Sequence, residues 1–157
     1  MKKILFVCSG NTCRSPLAEG IAKKILSDRL LEQIVISSAG TSAIEGVPAS
    51  DLSIQVARSN GIDLSDHRAR PLSKTLIRES DLIFTMSSKH KETVGIIEPA
   101  GLDYTFLLTD FCGEQGDIPD PIGSDIEGYQ GVFEQIQKCL ERMRNRLGKL
   151  DHWPKQD

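Results

Sequence analysis

Cys8 and Arg14 are the two residues of this chain whose types and spacing most clearly suggest chemistry. Five residues separate them, and Gly10 lies within that interval. A cysteine thiolate is a strong nucleophile, and an arginine guanidinium binds two oxygens of one phosphoryl group through its planar set of N–H donors. The pair therefore predicts nucleophilic attack on a phosphorus atom that the arginine holds in place.

The segment around this pair has the surroundings of an anion site. Residues 3–7 predict a buried strand, and Pro16 suits the first turn of a helix. Where a parallel strand ends and a helix begins, backbone N–H groups converge and the helix dipole favours negative charge. The same effects favour the thiolate of Cys8, to which Ser15 could donate a hydrogen bond. In the alternative interpretation, Cys8 is only a small apolar residue that ends a buried strand.

We call residues 8–15 the phosphate loop. Besides Cys8 and Arg14, it contains six residues that we expect to contact the substrate: Ser9, Gly10, Asn11, Thr12, Cys13 and Ser15.

Strand and helix patterns alternate along the rest of the chain. Strands are predicted at residues 3–7, 33–38, 81–86 and 104–108, and helices at about 15–31, 51–60, 88–97 and 124–147, with another short helical stretch after Ser73. Ser50 or Asp51, Ser73, and Ser87 or Ser88 are the predicted helix caps. The pattern predicts an α/β fold with one domain over residues 1–157, in which a four-stranded parallel sheet has helices on both faces. The phosphate loop would join strand 1 to helix 1, and the tail after about residue 148 would be frayed.

Composition argues against several other classes of protein. The 157 residues carry a formal net charge of −3 with no concentrated basic region, so we expect no nucleic-acid partner. No apolar segment approaches the roughly 20 residues of a membrane span, and the apolar start is too short for a signal peptide, so we expect a cytoplasmic protein without a membrane partner. The four cysteines lack disulfide-framework or metal-ligand spacing, so no metal and no cofactor are expected. We expect the chain to act as a monomer.

The segment FVCSGNTCRSP, residues 6–16, resembles the N-terminal signature of the low-molecular-weight protein-tyrosine phosphatases. Residues 37–41, 67–70, 81–86 and 120–121 resemble the same family in order and spacing, so the resemblance covers residues 1–147. It implies a phosphatase that forms a phosphocysteine on Cys8 and holds the phosphoryl group with Arg14. It also implies that Asp120 is the general acid and later the base that activates water. Otherwise, Asp120 is a surface-turn aspartate, since Asp-Pro is common in turns.

The same resemblance assigns supporting roles. Asn11, Ser38 and His67 match positions that brace the phosphate loop, and asparagine tolerates the left-handed backbone of a tight loop. We expect Ser38 and His67 to bind the Asn11 side-chain amide. Cys13 matches a position that the family pairs with the nucleophile, so a reversible Cys8–Cys13 disulfide would protect Cys8 from further oxidation. Otherwise, Cys13 packs beneath the start of the helix.

Three positions bear on the substrate. Phosphotyrosine members of the family carry a bulky aliphatic residue in place of Thr12, and aromatic side chains that flank the phenyl ring in place of Ile44 and Ile122. Thr12 and the Asp-Pro-apolar-Gly sequence at residues 120–123 resemble the bacterial protein-arginine phosphatase branch. We therefore predict that the partners are phosphorylated proteins and the substrate is phosphoarginine, with phosphotyrosine as the alternative.

Two other activities share a cysteine in such a loop. Arsenate reductases of this fold need additional cysteines near the end of the third strand, and residues 85–95 contain none. Phosphocarrier proteins of sugar transport place a cysteine after strand 1 but need neither the arginine nor the Asp-Pro acid. Both alternatives are disfavoured because Arg14 and Asp120 are present and the extra cysteines are not.

Overall fold

The computed structural model describes residues 1–155 and contains a parallel sheet of four strands in the order β2-β1-β3-β4. The strands are β1 (Lys2–Cys8), β2 (Ile34–Gly40), β3 (Leu82–Thr85) and β4 (Thr105–Leu107). The helices are α1 (Arg14–Ile25), α2 (Asp28–Leu31), α3 (Asp51–Ser59), α4 (Lys74–Glu79), α5 (Ser88–Ile97), α6 (Leu108–Phe111) and α7 (Ile126–Leu147). A 3-10 turn at Pro99–Tyr104 lies between α5 and β4, and a second at Leu150–His152 follows α7. The predicted fold class is confirmed.

Strand β1 is apolar along its length because both of its faces are covered. Ile4, Phe6 and Cys8 belong to one core, with side chains of α1, α3 and α7. Leu5 and Val7 point to the other face and belong to a second core with side chains of α4 and α5. Since β1 pairs with β2 on one side and β3 on the other, its last residue, Cys8, lies in the middle of the sheet edge.

The predicted first helix over residues 15–31 is wrong in one respect, because it is divided into α1 and α2. Leu26 has an extended backbone and is buried, which ends α1. Ser27 then caps α2 by accepting a hydrogen bond from the Leu30 N–H. The predicted serine caps of α3, α4 and α5 are confirmed at Ser50, Ser73 and Ser87.

The chain after α7 differs from the frayed tail that the sequence predicts. Within the described residues, Leu150–His152 form a 3-10 turn and Trp153 is buried. Burial of the large indole supplies the apolar contact that holds this segment against the core. Lys155 also donates a hydrogen bond from Nζ to the Ser80 carbonyl.

One further feature of the fold is a disulfide. Cys112, which follows α6, and Cys139 of α7 form a disulfide, with their Cα atoms 5.3 Å apart. The cysteine spacing does not predict this pairing.

Among residues 1–155, no helix has the length and apolarity needed to cross a membrane.

Candidate active site

A short hydrogen-bond chain leads to the sulfur of Cys8. The Ser15 Oγ lies 2.9 Å from the Cys8 Sγ, and both groups are buried. The Asn11 Nδ2 donates to the same Ser15 Oγ over 2.8 Å. Because an amide N–H can only donate, the serine accepts this bond and keeps its own proton for the sulfur. Ser15 therefore lies where it can stabilise a thiolate on Cys8.

Asn11 joins the phosphate loop to two other segments, β2 and the loop that contains His67 and Arg70. Its φ of 56° is left-handed, as the sequence predicts. The Nδ2 also donates to the Ser38 Oγ over 2.9 Å, and the Oδ1 accepts from the Arg70 N–H over 3.0 Å. The His67 Nε2 lies 2.7 Å from the Asn11 backbone carbonyl. Ser38 thus binds the side-chain amide as expected, whereas His67 binds the backbone and not the amide.

Arg14 connects the phosphate loop to the loop that carries Asp120, residues 112–125, which we call the acid loop. The guanidinium is buried, and its Nη1 donates to the Ile118 carbonyl over 2.9 Å. Its Nη2 lies 3.4 Å from the Ser9 Oγ and 3.7 Å from the Asp120 Oδ2. The Ile118 N–H in turn donates to the carbonyl of Met86, the residue that follows β3. The structure therefore brings Arg14 and Asp120 together.

The residues at the end of β2 support the phosphate loop through backbone contacts. The backbone N–H groups of Thr41 and Ser42 donate to the carbonyls of Cys8 and Ser9, each over 2.9 Å. This contact is close enough that a Cβ on Gly40 would lie 2.4 Å from the Ser9 carbonyl oxygen and 2.9 Å from the Asn11 nitrogen. Position 40 therefore has no room for a side chain.

A cleft of about 550 Å³ opens between the phosphate loop, the acid loop and α5. Ser9, Arg14, His90 and Asp120 contribute to its lining, and no phenylalanine, tyrosine or tryptophan of residues 1–155 does. The Asp120 carboxylate is exposed to this space, and its Oδ1 accepts from the Ile122 N–H over 3.0 Å. A separate cavity of about 270 Å³ beside Phe106 and Trp153 contains none of the predicted site residues.

The remaining predicted residues lie around this cleft and not in its lining. Ile44 and Ile122, at the two positions that would hold aromatic side chains against a phenyl ring, are aliphatic and are 73% and 64% exposed. Thr12 and Gly10 are half-buried on the phosphate loop, and the Thr12 Oγ1 lies 3.7 Å from the Cys13 Sγ.

Cys8 and Cys13 are both free thiols. The Cys13 Sγ donates to the Ser50 Oγ over 3.4 Å and lies 3.5 Å from the Tyr129 Oη. Burial and the neighbouring Cys13 raise the pKa of Tyr129. Cys13 is thus held by the start of α3 and by α7, and its pairing with Cys8 stays a prediction.

Sequence reasoning missed three groups that contact the site. Glu19 of α1 accepts a hydrogen bond from the Ser38 Oγ over 2.6 Å and so supports the brace of Asn11. The Ile118 carbonyl anchors Arg14, and His90 of α5 contacts Ser9. Only His90 has a recognisable signal, because it stands three residues after the Ser87 cap, where a capping box has its second side chain.

The pKa of His90 is lowered to about 4, chiefly by burial and then by the charge of Arg14, while Asp117 and Asp120 oppose the shift. An unfolded histidine titrates near 6.5, so between pH 6.5 and 4 the unfolded state binds a proton that the folded state does not. We expect His90 to remove about 3 kcal/mol from the free energy of unfolding as the pH falls through this window.

Urea unfolding at a series of pH values, with His90→Asn as the control, measures this effect. Asparagine can still accept the hydrogen bond from the Ser87 N–H but does not titrate. The stability difference between the two proteins should therefore shift in favour of the variant on acidification. Parallel curves from pH 7 to pH 4 would contradict the prediction.

Comparison with known proteins shows the family of the chain. The family model described as low molecular weight phosphotyrosine protein phosphatase matches residues 3–152. A protein-arginine-phosphatase of Geobacillus stearothermophilus is 36% identical over 92% of this chain and 95% of its own length. The low molecular weight protein-tyrosine-phosphatase PtpB of Staphylococcus haemolyticus is 37% identical over 90% of this chain and 97% of its own.

A solved structure gives the same result at the level of the fold. The YwlE arginine phosphatase from Geobacillus stearothermophilus superposes with a TM-score of 0.87 at 34% identity, covering 99% of this chain and all of its own. The matches span the phosphate loop, the acid loop and all four strands. The chain therefore belongs to the low molecular weight phosphotyrosine protein phosphatase family, whose members are cysteine-dependent phosphatases.

Proposed function

We propose that this phosphatase hydrolyses phosphoarginine on proteins, with Cys8 as nucleophile, Arg14 as phosphate clamp and Asp120 as general acid. The observation that carries the proposal is the cleft beside Arg14 and Asp120, to whose lining the described part of the chain contributes no phenylalanine, tyrosine or tryptophan. Aromatic pairs contribute about 0.5–1.5 kcal/mol each, and a phenyl substrate would gain none of this here. A planar, polar guanidinium does not need such rings.

The position of Asp120 also suits a guanidinium substrate. Its carboxylate is exposed at the cleft, and the described contacts leave its Oδ2 no partner closer than Arg14 at 3.7 Å. In its protonated form, the carboxyl group can accept a hydrogen bond from a substrate guanidinium N–H through one oxygen. The proton on the other oxygen is then in place to be given to the nitrogen that leaves.

In the first step, the Cys8 thiolate attacks the phosphorus atom. The S–P bond forms as the P–N bond breaks, and Asp120 gives its proton to the leaving nitrogen of arginine. Arg14 and the N–H groups of the phosphate loop stabilise the charge on the three equatorial oxygens. The products of this step are arginine and a phosphocysteine.

In the second step, water attacks the phosphocysteine while the Asp120 carboxylate accepts its proton. The S–P bond breaks, inorganic phosphate leaves and the Cys8 thiolate is restored. The Ser15 hydroxyl, 2.9 Å from the sulfur, stabilises the departing thiolate. Asp120 ends the cycle protonated, ready for the next substrate.

Phosphotyrosine is the second candidate substrate. Relatives named as arginine phosphatases and as tyrosine phosphatases match the chain at similar identity. The exposed side chains of Ile44 and Ile122 could also pack against a phenyl ring. The steps above would be unchanged, except that a P–O bond would break and Asp120 would protonate the tyrosine oxygen.

Phosphate release from two peptides that differ only in phosphoarginine or phosphotyrosine tests the proposal, with Cys8→Ser as the blank. We expect a higher kcat/KM for phosphoarginine. Thr12→Ile should reduce that preference on the order of 10-fold, because a bulkier apolar side chain replaces a hydroxyl on the phosphate loop beside the cleft. Thr75→Ile, the same change at an exposed position of α4 away from the cleft, should leave the preference unchanged.

Other outcomes separate the parts of the proposal. A preference for phosphotyrosine would keep the roles of Cys8, Arg14 and Asp120 and reject the substrate. Equal effects of Thr12→Ile and Thr75→Ile would reject Thr12 as the selectivity residue. Turnover by Cys8→Ser would reject the mechanism.

A further inference from the structure

His90 is a buried titratable group beside the site that the proposed reaction does not use. It lies in the first turn of α5 and is only 4% exposed. Its ring contacts two serines, Ser87 at the start of α5 and Ser9 in the phosphate loop, 81 positions away. A buried imidazole needs partners for both nitrogens, and these partners determine where its proton lies.

The contacts of the Nδ1 atom fix the tautomer. Nδ1 lies 3.1 Å from the Ser87 backbone nitrogen, which can only donate, and 3.0 Å from the Ser87 Oγ. Nδ1 therefore accepts and carries no proton. The ring is neutral at physiological pH, since burial and Arg14 lower the pKa of His90 to about 4. Its one N–H is on Nε2, and this atom lies 2.9 Å from the Ser9 Oγ.

The direction of the hydrogen bond between His90 and Ser9 determines whether the Ser9 hydroxyl can donate a hydrogen bond elsewhere. The Ser9 Oγ accepts from the His90 Nε2–H, and the Arg14 Nη2, also a donor, lies 3.4 Å away. A hydroxyl has two acceptor positions and one proton. With both acceptor positions facing N–H donors, the Ser9 proton is left to donate into the cleft that Ser9, Arg14 and Asp120 line.

We propose that His90 is a positioning residue that makes Ser9 a hydrogen-bond donor to the phosphoryl oxygens and steadies the Arg14 guanidinium through the same hydroxyl. In this role His90 acts through the Ser9 hydroxyl and not by its own contact with the phosphoryl group. Phosphoryl oxygens only accept hydrogen bonds, so a serine turned to accept would lose its contact with them. This inference rests on the proposed role of the phosphate loop in holding the phosphoryl group.

Two substitutions separate positioning from the capping of α5. His90→Asn keeps an acceptor near the place of Nδ1, so it retains the bond from Ser87, but it has no donor near Nε2. His90→Gln reaches the place of Nε2 with an amide N–H but removes the acceptor at Nδ1. We expect His90→Asn to be the more stable variant and His90→Gln the more active one.

The expected sizes are a loss of kcat/KM on the order of 10-fold in His90→Asn, with a smaller loss in His90→Gln. The thermal midpoint of His90→Gln should fall a few degrees further, as for a lost cap in a domain of this size. A purely structural role predicts that activity follows stability. If the variant with the higher thermal midpoint also had the higher kcat/KM, the proposal would be overturned.

The double variant Ser9→Ala/His90→Asn gives a second test. If His90 acts through the Ser9 hydroxyl, the double variant should be no less active than Ser9→Ala alone. Losses that multiply would show that His90 acts by another route and would overturn the proposal.

Calorimetric binding of inorganic phosphate separates this inference from the proposed function. Affinity should fall in His90→Asn and be partly restored in His90→Gln. If the wild-type protein lacked activity on phosphoproteins but showed this phosphate-binding pattern, the proposed function would fail and the inference would stand. If the wild type were active while neither activity nor phosphate affinity changed in His90→Asn, the inference alone would fail.

Discussion

Replacing Asp120 with asparagine is expected to lower kcat for the phosphorylated peptide about 10²–10⁴-fold, the usual contribution of a general acid or base. Asparagine has nearly the same shape and can still accept the hydrogen bond from the Ile122 N–H. It cannot give a proton to the leaving group or take one from water. The loss should therefore appear in kcat and not mainly in KM, since the Arg14 clamp and the phosphate loop remain.

Nitrophenyl phosphate distinguishes the two uses of Asp120. Its leaving group needs little protonation, so Asp120→Asn should still release one equivalent of nitrophenol quickly. The later step needs a base, so turnover should then be slow and phosphocysteine should accumulate on Cys8. Rapid mixing measures both the initial burst of nitrophenol and the slow turnover that follows it.

Asp117→Asn is the matched control for this experiment. Asp117 lies on the same acid loop, and its Oδ1 accepts from the Ser88 N–H over 2.9 Å, a bond that asparagine can keep. The same charge is removed without touching the reacting atoms, so kcat should change by less than about 10-fold. Wild-type turnover in Asp120→Asn, or equal losses in both variants, would contradict the assignment of the acid.

The phosphate loop could be anticipated from sequence because its chemistry is local. Cys8, Arg14 and Ser15 are within seven positions of one another, between a strand and a helix that the apolar pattern already predicts. The left-handed backbone of Asn11 and the bond from Ser15 to the Cys8 sulfur follow from residue type and loop geometry. Where a site is contained in one loop, residue types at fixed spacing describe most of it.

The support around that loop could not be anticipated in the same way, because it comes from distant segments. The Ile118 carbonyl that holds Arg14 is 104 positions away and is a backbone atom, which no residue type announces. His67 was expected to bind the Asn11 side chain and binds its backbone carbonyl. Which atom of Asn11 or Arg14 finds which partner depends on how the loops pack, to within less than the width of one atom. A pattern of residue types does not specify that packing.

The remaining differences arise where tertiary contacts override a local pattern. The helical spacing of residues 15–31 continues through Leu26, but the burial of Leu26 against the core ends α1 there. Trp153 likewise gives a polar tail one large apolar contact. The Cys112–Cys139 disulfide joins the start of the acid loop to α7, a contact between elements that 27 positions of sequence separate.

Arg14 is the residue through which these separate supports act together. Its guanidinium contacts Ile118 and Asp120 on the acid loop and Ser9 on the phosphate loop, and Ser9 leads to His90 on α5. A displacement of any of these segments would therefore move the phosphate clamp. The same reasoning applies to β2, on whose end the phosphate loop lies.

Gly40→Ala is expected to have a large effect for this reason. The added Cβ would lie 2.4 Å from the Ser9 carbonyl oxygen, 2.9 Å from the Asn11 nitrogen and 2.9 Å from the Ala43 Cβ. Two of these are backbone atoms of the phosphate loop, so no side-chain rotation relieves the clash. We expect a loss of about 3 kcal/mol in the free energy of unfolding, the upper range for overpacking.

Activity should fall further than stability explains. Any accommodation of the new methyl group moves the backbone of Ser9 and Asn11, and a misplacement of about 1 Å costs on the order of 10²-fold in rate. Urea unfolding, and kcat/KM per folded molecule at a temperature where the variant is folded, measure the two effects separately.

Gly131→Ala is the control, because position 131 lies in the interior of α7 and a Cβ added there would meet no described neighbour within 4 Å. There the same methyl group should raise stability by about 0.5–1 kcal/mol and leave activity unchanged. Full activity in folded Gly40→Ala would mean that the phosphate loop does not depend on its contact with β2.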